Sequence, residues 1–64
     1  MKIYTVLYFL DSDRKDLQFW GCTDSLSKAK SKVDSLKGDL YAYVLETILN
    51  EFDDETQTIV YKNY

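Results

Sequence analysis

Apolar positions in this chain fall into one stretch with a helical period and several short runs without one. Residues 2–10, KIYTVLYFL, are β-branched or aromatic nearly throughout and have no capping residue ahead of them. A run that is apolar at both alternating sets of positions predicts a strand in the interior of a sheet. The polar connection Asp11-Ser12-Asp13-Arg14-Lys15-Asp16 separates it from a shorter run over 17–23, LQFWGCT. Together they predict a hairpin with a long loop, in which Gly21 weakens the second strand or marks a bulge. Leu26, Ala29, Val33 and Leu36 then recur at spacings of three and four, which predicts a helix with one packed stripe. Thr23 or Asp24 stands where an N-terminal cap belongs, and Lys37 followed by Gly38 is the expected C-terminal ending. Lys28 and Lys32 flank the stripe on one side and Lys30 and Lys37 on the other, leaving Ser27, Ser31, Ser35 and Asp34 toward water.

Residues 40–52, LYAYVLETILNEF, predict a third, long strand. Fully extended it would span about 43 Å at ~3.3 Å per residue, so a bend or bulge near Glu46-Thr47 is expected. A second reading makes 44–52 helical, because Val44, Ile48 and Leu49 share helical spacing. After a polar turn, Asp53-Asp54-Glu55-Thr56, the segment QTIVYKNY predicts a fourth strand. The order is ββαββ, an α+β domain occupying residues 1–64 as one unit. The first and third strands, the most apolar, belong in the centre, and the second and fourth suit the edges. A right-handed crossover through the helix gives a four-stranded antiparallel sheet of order 2-1-3-4 with one helix on one face.

One helix cannot cover both faces of four strands. Ile3, Thr5, Leu7 and Phe9 alternate with Tyr4, Val6, Tyr8 and Leu10; Leu40, Ala42, Val44 and Ile48 alternate with Tyr41, Tyr43, Leu45 and Leu49. Small aliphatic side chains suit a helix-packed face, whereas tyrosines suit a surface that is apolar in body and wet at the hydroxyl. On that sorting Tyr4, Tyr8, Tyr41 and Tyr43, with Trp20 and Tyr61 beside them, line the uncovered side. An exposed aromatic patch of that extent marks an interaction site.

Composition narrows the chemistry. With 64 residues, the chain hides only about 60% of its unfolded surface, so its stability is marginal. It has no histidine and a single cysteine, which excludes histidine-dependent nucleophilic triads, a structural zinc site and an internal disulfide. This fits a reducing, cytoplasmic setting. Met1-Lys2 ahead of an apolar run superficially resembles a signal peptide, but no small-residue cleavage site follows, and no run is long enough to span a bilayer. The net charge of −3 argues against direct nucleic-acid binding. Residues 24–38 carry a net charge of +2 and the remainder −5. Asp11, Asp13, Asp16, Glu51, Asp53, Asp54 and Glu55 concentrate in the two hairpin loops, expected toward one end of the sheet, where they would steer a basic partner.

Asp11-x-Asp13-x-x-Asp16 departs from a calcium loop, since Lys15 and Asp16 stand where a ligand and a glycine are needed. Cys22 lacks a histidine to activate it and reads as a buried strand thiol. Glu46 lies within an apolar run; a bulge turning it to solvent accounts for it more simply than a general-acid role. Gly21 and Gly38 form no phosphate loop. No cofactor is called for and no catalytic residue is assigned.

In size, in acidic wording such as DSDRKD and NEFDDET, and in lacking catalytic equipment, the chain resembles the small acidic proteins of phages and mobile elements. Those include inhibitors of bacterial defence nucleases such as anti-CRISPR proteins. The resemblance implies inhibition by occupying a protein surface, in the host cytoplasm, and transfers no functional residue. The expected function is that of a non-enzymatic binding module. It would dock an aromatic sheet face and acidic loops onto a larger, basic protein. The alternatives are a self-associating domain pairing with a second copy, or a small-ligand sponge.

Overall fold

A computed structural model describes residues 1–10, 17–52 and 57–64. Strands β1 (Lys2–Phe9) and β2 (Gln18–Thr23), helix α1 (Leu26–Ser35), and strands β3 (Tyr41–Ile48) and β4 (Thr58–Lys62) follow in that order. The sheet has order β2-β1-β3-β4 and every neighbouring pair is antiparallel. The apolar runs of β1 and β3 therefore take the centre, as their two-sided pattern requires.

Central strands β1 and β3 pair without interruption, Lys2 opposite Ile48 through Phe9 opposite Tyr41. Both edge strands carry an extra residue. Val6 faces Gly21 and Leu7 faces Phe19, so Trp20 is the bulged residue of β2. Val44 faces Tyr61 and Leu45 faces Ile59, so Val60 is the bulged residue of β4. The irregularity expected at Glu46-Thr47 thus lies in the partner strand. β3 is strand, not helix, and it stops at Ile48 because Asn50 turns the chain with a φ of 69°. Glu46 stays on a regular stretch of β3 and pairs its carboxylate with Lys2 at 3.2 Å.

The helix cap lies one residue beyond Asp24 and two beyond Thr23, the two expected caps. Ser25 is the N-cap, its hydroxyl accepting from the Lys28 amide, while Thr23 Oγ1 accepts from the Ser25 amide at 3.2 Å. Thr23 and Ser25 thus divide the capping work between them. At the other end Gly38 has a φ of 95°, a conformation that releases the chain toward β3 and strains any side chain.

α1 lies across the small side chains at the middle of the sheet. Val6, Ala29, Val33, Ala42 and Val44 are buried, and Tyr4, Tyr8, Leu26, Leu36, Val60 and Tyr61 pack around them. Asn63 ties three segments together. Its Nδ2 donates to the carbonyls of Val33 at 2.9 Å and Leu40 at 3.2 Å, and its Oδ1 accepts from the Ala42 amide at 3.0 Å.

Candidate protein-binding face

Register decides which side chains share a surface, because residues directly opposite in an antiparallel pair point the same way. The buried pair Val6–Val44 marks the helix side. Tyr4, opposite Glu46, and Tyr8, opposite Ala42, lie on that side too, and so does Tyr61, opposite Val44. The expectation that these three tyrosines line the uncovered face is therefore corrected. The helix rests on valine and alanine, and the rings flank it, with room left by Ala29 and Ala42. The Tyr61 hydroxyl donates to Asp34 Oδ1 at 2.5 Å, and Lys30 Nζ sits 5.4 Å from its ring centroid. That bond to a carboxylate, with burial and Asp34's charge after it, holds the phenol above its ordinary value of 10.0. Trp20 is displaced as well. The bulge turns it against the edge of Tyr8, with ring centroids 5.3 Å apart, and under Lys32 Nζ at 4.3 Å.

Of the six aromatics expected on the uncovered face, Tyr41 and Tyr43 are the two found there. Their companions come from the other alternating set of β1. Two rows cross all four strands: Cys22, Thr5, Leu45 and Ile59, then Phe19, Leu7, Tyr43 and Lys62. Ile3–Thr47 and Phe9–Tyr41 extend the surface along the central pair. Phe9 packs on Tyr43 with centroids 5.9 Å apart, and Tyr64 meets Tyr41 edge-on at 6.1 Å, with Lys62 Nζ 5.2 Å from the Tyr64 ring. Partial burial, then the charge of Tyr64, raises the Tyr43 phenol above 10.0.

Phe19 is 63% exposed and Ile59 53%, although both sit within strands. Among the described residues no carboxylate occupies these rows. Cys22 is exposed rather than buried, because it stands opposite Thr5 on the side that no helix covers. Ile3, Leu7, Phe9, Phe19, Leu45 and Ile59 were not singled out by their residue types. The usable signal was the small side chain: Ala29 and Ala42 show where a helix crosses, and the helix side of β1 must then carry Val6.

Of the acidic candidates, Asp11, Asp13, Asp16, Asp53, Asp54 and Glu55 lie outside the described residues, and Glu51 is exposed shortly after β3. Among the described residues no three His, Cys, Asp or Glu side chains are grouped to hold a metal ion, and no helix is long and apolar enough to cross a membrane. Compared with known proteins, the chain matches no family model, no curated protein and no solved structure.

Proposed function

We propose that this chain is a non-enzymatic binding module that inhibits a larger, basic protein by covering part of its surface with the helix-free side of the sheet. The observation that carries the reading is the pair of rows through Leu7 and Leu45: largely apolar, with Thr5 within one and Lys62 at the end of the other, without helix cover, and free of carboxylates among the described residues. Both edge strands are bulged, which favours docking by the face over strand addition at an edge.

Charge selects the partner. The segment after Phe9 carries Asp11, Asp13 and Asp16, and the one after Ile48 carries Glu51, Asp53, Asp54 and Glu55, so in sequence acidic groups follow both central strands. A target with an apolar patch and basic flanks matches that arrangement. Proteins that grip nucleic acid have such flanks, which agrees with the resemblance to anti-defence inhibitors.

Self-association is the second reading, since two copies of a face without carboxylates stack with no acidic repulsion at its centre. Capture from a host lysate with the chain and with Phe19→Asp/Ile59→Asp tests the proposal. Both positions are exposed, so the variant keeps its fold, and the captured basic partner should be lost. A partner retained by the folded variant defeats the reading. A chain that sediments as a monomer at all concentrations removes the second one.

A further inference from the structure

We infer that a slot between β2 and α1, on the opposite side of the sheet, binds a free mononucleotide. The slot encloses about 190 Å³. Val6 and Ala29 form its floor, Trp20 one wall, Gly21 an open corner, and Lys28 and Lys32 its rim. Its dimensions suit one planar ring system, since an engineered apolar cavity of about 150 Å³ accepts benzene. The Trp20 indole, left 45% exposed by the bulge, lies under Lys32 Nζ at 4.3 Å, so a ring stacks on it as that ammonium swings out to the phosphate. Lys28 and Lys32 also border a shallow open depression along the outer face of α1, which adds the hydroxyls of Ser27, Ser31 and Ser35. An apolar slot for a ring thus adjoins two ammonium groups for a phosphate, with the Ser31 hydroxyl beside them while Ser27 bonds Ser25 and Ser35 bonds the Lys32 carbonyl, and among the described residues no carboxylate lines either part. A single phosphate is the appropriate charge. The chain's net −3 works against a longer polyanion.

Gly21 makes the inference testable without damage to the fold. Beyond its chain neighbours Trp20 and Cys22, no described atom lies within 4 Å of the position a Cβ would take there, and its φ is not positive. Because Gly21 stands opposite Val6, that Cβ enters the slot. Gly21→Val therefore fills the slot while raising strand propensity.

Adenosine monophosphate is the probe, followed through amide resonances and the indole N–H of the chain's one tryptophan. Saturable shifts centred on Trp20, Gly21 and Ala29 are expected at or below millimolar nucleotide. Gly21→Val should fold and bind at least about tenfold more weakly, and Lys28→Gln/Lys32→Gln should lose about tenfold and most of the salt dependence. Adenosine and inorganic phosphate should each bind less tightly than the intact nucleotide. Absence of saturable shifts, unchanged affinity in folded Gly21→Val, or tighter binding of a short oligoadenylate overturns the inference. None of these outcomes bears on the helix-free face, which lies across the sheet.

Discussion

The phenol of Tyr61 and the carboxylate of Asp34 form a bond that only a neutral tyrosine can donate. The folded chain therefore resists ionisation of this residue, and its value lies above that of the unfolded chain. The sign follows from linkage. The contribution is fully present below the ordinary tyrosine range and is lost as pH climbs through the raised folded value. An alkaline titration followed by ring resonances should show Tyr61 ionising late, and Asp34→Asn should bring it back toward 10.0. An unshifted midpoint in that variant would show that Asp34 is not the cause. Neither this bond nor the Trp20–Tyr8–Lys32 stack was legible in the residue types. Both follow from bulges, and a bulge is invisible to a pattern of period two until the pairing is known. Gly21 hinted at one of them; nothing in Thr58–Lys62 hinted at the other.

Among the elements, the helix and four strands were readable because each carries a strong period or a dense run of β-formers. Boundaries shifted where capping chemistry offered several choices, as at Thr23, Asp24 and Ser25. What joins the elements was not readable. Asn63 sits in a polar tail, yet its amide bonds the last turn of α1, the loop before β3 and the start of β3. Asn63→Ala removes three bonds at once; the Val33 carbonyl keeps the Leu36 amide as a partner, while the Ala42 amide and the Leu40 carbonyl lose the bonds the side chain gave them. The cost should be about 1–3 kcal/mol in urea unfolding. A loss below a few tenths would mean that water replaces the side chain without penalty.

For the whole molecule, the core is small against the surface it must hold together. Val33 and Val44 are the largest fully buried side chains, and the centre around them is alanine and valine. A single core in a chain of this size rarely supplies more than about 3–5 kcal/mol. Val44→Ala, which opens a void beneath the helix, should then remove about 2 kcal/mol. Thermal unfolding should show a much lower midpoint for this variant and a smaller change for Phe19→Asp, whose ring is 63% exposed on the edge strand. The topology was legible because strand apolarity ranks centre before edge. The division of faces was not, because shifting the pairing by one residue exchanges them completely, and tyrosine is at home on either side.

The two bulged margins also limit how this protein can misassemble. A chain with six tyrosines and strands dense in β-formers is well suited to cross-β stacking, in which each molecule templates the next along an unbroken hydrogen-bond ladder. Trp20 and Val60 interrupt that ladder at both outer strands. Growth into fibrils is blocked at the native margins, while layering through the flat side stops at a pair, so concentrated solutions should hold discrete particles and not filaments.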